Sequence, residues 1–227
     1  MPFDPLLLGL ALGARHALEP DHLAAVTTFV TRTSDVPGAA RMGAAWGLGH
    51  GLAIALFGGA VIATGVRVPG PLAIALDLAV AVVLVWLGVR ALRRPDHASP
   101  GDAAHAHAHG ARSTRRSTMV GFVHGASGTA AITVLCLSTF HSARLALGFL
   151  ALFALGALAS MALLSGLLAS PLAALARRGA SVARAVRWTS GLLAFAAAAL
   201  VVVTVLREAG VGRDREAGVV VVEAAPR

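Results

Sequence analysis

Long apolar stretches, separated by short breaks rich in arginine, proline and glycine, set the pattern of this sequence. A transmembrane α-helix needs about 20 mostly apolar residues. Six stretches meet that length, approximately 5–31, 41–66, 69–92, 118–140, 143–169 and 186–206. No alternating ten-residue strand pattern appears, and backbone groups in lipid must be satisfied within each segment. The pattern therefore predicts an all-α, polytopic membrane protein with six transmembrane helices. Pro37 and Gly38, the turn Arg67-Val68-Pro69-Gly70 and the pair Ser170-Pro171 mark ends of spans. Residues 1–92 then form a first three-helix half, 93–117 the one long internal loop, 118–206 a second three-helix half and 207–227 a charged tail that is expected to be poorly ordered.

One span breaks its own pattern. Between Leu6–Ala14 and Leu23–Val30 lies Arg15-His16-Ala17-Leu18-Glu19-Pro20-Asp21-His22. An Asp or Arg at a helix centre costs roughly 2.5–3.5 kcal/mol on an insertion scale, so such a cluster faces a bundle interior and marks a functional site. On a straight helix Asp21 and His22 lie about 140° and 240° round from His16, and the three could not meet one ion. Pro20 has no N–H, and its ring clashes with the carbonyl of His16; a break there frees that carbonyl and turns the ligands inward. Imidazole nitrogen with carboxylate and carbonyl oxygen suits a borderline divalent metal such as nickel, cobalt or zinc. The plainer alternative is a polar knot that pairs internally, Arg15 with Glu19 at i, i+4.

Gly-x-x-His followed by a small residue recurs at Gly13–Ala17, Gly47–Gly51 and Gly121–Gly125. Small neighbours let helices approach closely, which brings His16, His50 and His124 within reach of a shared site; each alone is also a common interhelical hydrogen-bonding group. A shift of 108 residues superposes Gly13 on Gly121, His16 on His124 and Pro20 on Gly128. Interrupted segments at corresponding places in two halves mark the binding site of inverted-repeat transporters. A three-span repeat must invert its second copy, so a 3+3 inverted repeat is expected, with chance similarity of two Ala/Gly-rich helices as the alternative. Asp77 in the third span is a candidate for proton coupling or for orienting a ligand. Cys136 reads as a small core hydrophobe.

Composition adds sidedness. Charged residues make up 13% of the chain, against about 25% in soluble domains. All basic residues are arginine, with a net charge of +8, and they stand at the ends of apolar segments, where they set topology rather than bind nucleic acid. Arg32, Arg41, Arg90, Arg93, Arg94, Arg112, Arg115, Arg116, Arg177, Arg178, Arg184 and Arg187 fall on one side. That side should be cytoplasmic, with both termini outside. A single cysteine excludes an intrachain disulfide or a CxxC redox pair. The N-terminus lacks a basic region, and no cleaved signal peptide is expected. In the cytoplasmic loop, His97 and the alternating His105, His107 and His109 on a flexible chain read as a metal-capture tract or as an incidental linker.

The motifs Arg15-His16-Ala17-x-x-x-Asp21-His22, Leu48-Gly49-His50 and Val123-His124-Gly125-Ala126-Ser127-Gly128 together resemble the nickel/cobalt transporter superfamily. The resemblance covers most of residues 9–140 and is strongest to the shorter UreH-like urease-accessory and nickel-export-like members. Typical members carry an acid-small-acid sequence where this chain has Glu19-Pro20-Asp21. The resemblance implies transport of nickel or cobalt ions, with His16, Asp21, His22 and His50 contacting the ion. The combined expectation is a secondary transporter in the cell membrane, with no resident cofactor and Ni²⁺ or Co²⁺ as cargo. His16, Asp21, His22, His50 and His124 bind, Glu19 or Asp77 exchanges protons or balances charge, and the loop histidines gather metal. Its partners are membrane lipid, the divalent ion, and a cytoplasmic metal carrier or nickel enzyme. A non-transporting accessory protein that supplies a nickel enzyme such as urease is the alternative. An enzyme is not expected: a metalloenzyme needs a signature such as His-Glu-x-x-His, and no such sequence or Walker A motif is present.

Overall fold

With no water in hydrocarbon to bond the backbone, every apolar stretch of this chain satisfies its amides as helix. The computed structural model describes residues 5–31, 35–66, 68–93, 106–140 and 142–223. Its helices are α1 (Pro5–His16), α2 (Pro20–Val30), α3 (Val36–Ala53), α4 (Gly59–Thr64), α5 (Gly70–Leu92), α6 (Ala106–Thr139), α7 (Ala143–Ala176) and α8 (Ala180–Glu223). A π-helical turn, Ile54–Gly58, joins α3 to α4 without a break. Among the described residues, four helices are long and apolar enough to cross a membrane: Val36–Thr64, Gly70–Leu92, Ala143–Ala176 and Ala180–Ala209. The segments Thr114–Thr129 and Ala131–Thr139 of α6, bent by 47°, make a fifth if taken as one span. The protein is thus an all-helical integral membrane protein. Leucines such as Leu48, Leu163, Leu167 and Leu192 stand exposed on its outer surface, as lipid contact allows.

Several expectations change. The first span is two short helices, because Pro20 cannot continue α1 and instead opens α2 at its first turn, where a missing N–H is harmless. The carbonyl of His16 is not freed by this break; it accepts from the Glu19 amide at 3.1 Å in a tight closing turn. Residues 106–117, expected within a loop, form the first turns of α6, an extension carried by Ala and Arg, which favour helix. Pro171 does not end the fifth span but sits inside α7, since membrane helices re-satisfy the freed carbonyl locally. The tail is helical as far as Glu223, because adding residues to an existing helix is easier than starting one.

Glycines set the packing. A Cβ on Gly121 would overlap the Trp46 backbone and one on Gly125 the His50 backbone, while Ser117 Oγ donates to the Met42 carbonyl at 2.9 Å. These steps ascend together, so α3 and α6 run parallel at backbone contact. Gly9 against Phe149 and Gly13 against Phe153 make α1 and α7 parallel in the same way. Gly43 against Met161, Gly47 against Leu158 and Gly51 against Ala154 make α3 and α7 antiparallel. Gly88 and Gly191 face each other across α5 and α8. Two apolar clusters result, one around Phe29, Trp46, Leu84 and Met161, the other around Ile54, Ile132, Cys136 and Phe153. The polar residues of α1–α2 lie at their junction, against Trp46 on one side and Phe153 on the other.

Candidate metal centre

Four imidazoles from four helices converge. The ring of His16, at the end of α1, lies 4.5 Å from that of His22 in α2 and 5.2 Å from that of His50 in α3, centroid to centroid. His22 lies 5.2 Å from His50 and 5.6 Å from His124 in α6. The break at Pro20 achieves this by restarting the helix axis, so that His16 and His22 approach although a straight helix would point them apart. The glycine contacts at Gly121 and Gly125 bring α6 onto the backbones of Trp46 and His50 and set the His124 ring against that of Trp46.

Hydrogen bonds fix the rings. His22 Nδ1 donates to Asp21 Oδ1 at 3.0 Å and His16 Nδ1 to Glu19 Oε1 at 2.9 Å. A carboxylate can only accept, so in each neutral ring the proton sits on Nδ1 and the lone pair on Nε2. His124 Nδ1 donates to the Val120 carbonyl at 3.2 Å, with the same result. Nε2 of His22, Nε2 of His124, both ring nitrogens of His50 and Nε1 of Trp46 are buried with no hydrogen-bond partner among the described residues. Each buried polar atom left unsatisfied costs about 1–3 kcal/mol. Four such side chains in one place mark a candidate site, and lone pairs held by carboxylate or carbonyl on the far nitrogen are a pattern found in metal-ligating histidine.

One ligating atom from each of His16, His22 and His50 lies within 4.8 Å of the others. Nitrogens at about 2.0–2.1 Å from one ion are at most about 4.2 Å apart, so a small contraction closes the sphere. Glu19, Asp21 and His22 form a second group of the same tightness; one oxygen of Asp21 accepts from His22 and one of Glu19 from His16, and each carboxylate has a second oxygen to offer. A cavity of about 360 Å³, lined by Leu12, Arg15, His16, Glu19, Ile54, Gly128, Ala131, Ile132, Leu135 and Phe153, reaches His16 from one face of the bundle. His16 Nε2 looks onto Gly128, where a Cβ would stand 3.9 Å away.

The structure brings together His16, Asp21, His22, His50 and His124, with Glu19 at the mouth. Asp77 accepts a hydrogen bond from Ser127, one turn beyond His124 on α6. His97 and His105 lie outside the described residues, and the side chains of His107 and His109 do as well. Positions 107 and 109 are helical. Trp46 and Phe153, which cap the rings, were not singled out by sequence; Trp46 is one turn before His50 on the same face, a signal indistinguishable from ordinary core packing.

No protein-family model matches the chain, and no solved structure matches it. Among curated proteins, it is similar to the urease accessory protein UreH of Bacillus sp. (strain TB-90), 29% identical over 181 residues, which are 76% of this chain and 79% of that protein. The aligned share is large enough to hold both the histidine motifs and most of the helical bundle. This similarity supports the resemblance that the histidine motifs carry, to the UreH-like members of the nickel/cobalt transporter superfamily.

Proposed function

We propose that this protein is a six-span secondary transporter of divalent transition-metal cations, nickel or cobalt, in the cell membrane. The observation that carries the reading is the set of buried, partnerless ring nitrogens on His22, His50 and His124 behind His16, which a vestibule reaches. His16, His22, His50 and His124 bind the cation through nitrogen. Asp21 holds His22 through one oxygen and can ligate through the other, Glu19 holds His16, and the two carboxylates balance the charge of the ion. Glu19 at the mouth, or Asp77 beside Ser127, exchanges the coupling proton. The arginine-rich side is cytoplasmic, with both termini outside, and the vestibule opens outward.

A 3+3 inverted repeat is supported by contacts that occur twice. Gly13 meets the Phe153 carbonyl, and Gly121 meets that of Trp46; Gly156 meets the Leu10 carbonyl and Ala14 amide, and Gly49 those of Thr118 and Phe122. An offset of 108 carries 10, 13 and 14 onto 118, 121 and 122, and one of 107 carries 46 and 49 onto 153 and 156. Under a third, 103, Gly88 against Phe195 becomes Gly191 against Leu92. Such a repeat suits alternating access, one half rocking against the other around a central site.

The test is nickel content and nickel sensitivity of cells expressing wild type, His16→Ala, His50→Ala or Asp21→Ala. The variants should lose the change in nickel content that wild type produces, and its sign separates import from export. Equal nickel content in all strains refutes transport. The relative's description as a urease accessory protein favours a second reading, an accessory protein that hands metal to a nickel enzyme without moving it across the membrane. Unchanged nickel content with lower urease activity would select it.

A further inference from the structure

The two repeats are related in sequence position but not in exposure. His16 and its repeat mate His124 each lie against an aromatic ring, and those rings, Phe153 and Trp46, are themselves mates. His16 packs on Phe153 at 5.4 Å with the rings tilted by 42°, and its side chain is 17% exposed at the end of the vestibule. His124 packs on Trp46 at 5.8 Å with the rings at 90°, bonds back to Val120, and is 3% exposed. One half is therefore open where the other is shut.

The same offsets translate the vestibule wall. Leu12 maps to Val120, Ile54 to Met161, Phe153 to Trp46 and Leu135 to Thr27. Val120, Met161 and Trp46 are buried in the apolar cluster on the other side of the rings, and Thr27 is half-buried. Trp46 lies over both His22 and His124, closing the site toward the arginine-rich end of the bundle as Phe153 flanks it toward the open end.

We propose that Thr27, Trp46, Val120 and Met161 line the second half of the cation path, which opens when the two repeats exchange conformations. In that state Trp46 turns from its edge-on stance at His124 to the tilted one that Phe153 now takes at His16, and His124 becomes the exposed imidazole. The inference rests on the transport and repeat readings above. It adds the route by which a divalent cation leaves the site and the side chain that blocks it.

Cysteine accessibility tests it. Cys136 is buried and outside the site, so Cys136→Ala in sealed vesicles of known orientation is the background, checked first for nickel movement. Ala131→Cys and Leu135→Cys in the vestibule should react with a membrane-impermeant thiol reagent from one face only. Thr27→Cys and Val120→Cys should react from the opposite face only. Their rates should be about ten- to a thousandfold lower, as for a state populated at roughly 0.1–10%, and should rise as vestibule reactivity falls. Half-buried Val123→Cys, the mate of Arg15, serves if Val120→Cys does not fold. If nickel crosses while Thr27→Cys, Val120→Cys and Val123→Cys stay unreactive, or react from the vestibule face, the proposed route is wrong and transport stands. If nickel does not cross in the Cys136→Ala background or in wild type, the transport reading falls and the route with it.

Discussion

Replacing Asp21 by alanine removes the acceptor that pins the His22 proton on Nδ1. In the structure that bond is 3.0 Å long, the His22 ring is 3% exposed, and the Asp21 side chain is 23% exposed. Without it, the ring can rotate or take the other tautomer, and its Nε2 lone pair is no longer aimed at the centre. Losing such a carboxylate partner costs a metal site about 10- to 100-fold in affinity, or about 1.4–2.7 kcal/mol. Asp21→Asn keeps an acceptor oxygen without the charge and should lose less. Glu19→Ala should also lose less, because the Glu19 side chain is 53% exposed and its field is screened by solvent. Calorimetric titration of nickel into purified protein in nanodiscs reads all three. A cycle with His22→Ala isolates the coupling: once His22 is gone, removing Asp21 should change affinity little. If Asp21→Ala binds as wild type, or weakens binding less than Glu19→Ala, or adds its full loss on top of His22→Ala, then Asp21 does not act through His22.

Gly121→Ala should force α3 and α6 apart at the Trp46 backbone, destabilising the bundle by about 1–3 kcal/mol as overpacking does; an unchanged thermal unfolding midpoint in detergent refutes the backbone contact. Nickel affinity should fall from neutral to mildly acidic pH, because protons and metal compete for the same imidazole lone pairs. Calorimetry in buffers of different ionisation enthalpy should detect the protons released on binding, and pH-independent affinity would count against an imidazole site. Ser127→Ala removes the hydroxyl donor to Asp77. If that carboxylate exchanges the coupling proton, the pH profile of nickel movement shifts while nickel affinity stays the same; an unshifted profile leaves Glu19 as the exchanger. Replacing His105, His107 and His109 together should lower the efficiency of nickel movement and leave it measurable, and complete loss would contradict an auxiliary role.

Much of this was open to reading in the primary structure, because membrane insertion is governed by local composition. The apolar runs predicted helices, and the expense of Arg15 to His22 in hydrocarbon marked the site before any tertiary contact was known. The Gly-x-x-His repetition nominated His50 and His124, since glycine beside a short side chain is what close helix approach requires. Helix ends were less legible: Pro171 and the Arg/Ala run before Thr118 look like stops or loops in isolation, and only neighbouring helices and propagation decide otherwise. The partner of His16 could not be read either. Arg15 and Glu19 have the spacing of a helical ion pair, but Pro20 ends the helix, and the tight turn brings Glu19 to His16 instead.

By itself the sequence determined an all-helical membrane protein with a proline-broken first span and three glycine-flanked histidines, because burial of charge and helix breaking are local costs. Only the tertiary structure decided that four imidazoles from α1, α2, α3 and α6 share one centre. It also decided that Asp21 and Glu19 hold rings rather than stand free, and that Trp46 and Phe153 close the two sides unequally. Those outcomes depend on the helix separation that the facing glycines permit and on ring rotation within a packed interior, neither of which is a property of any one stretch of chain.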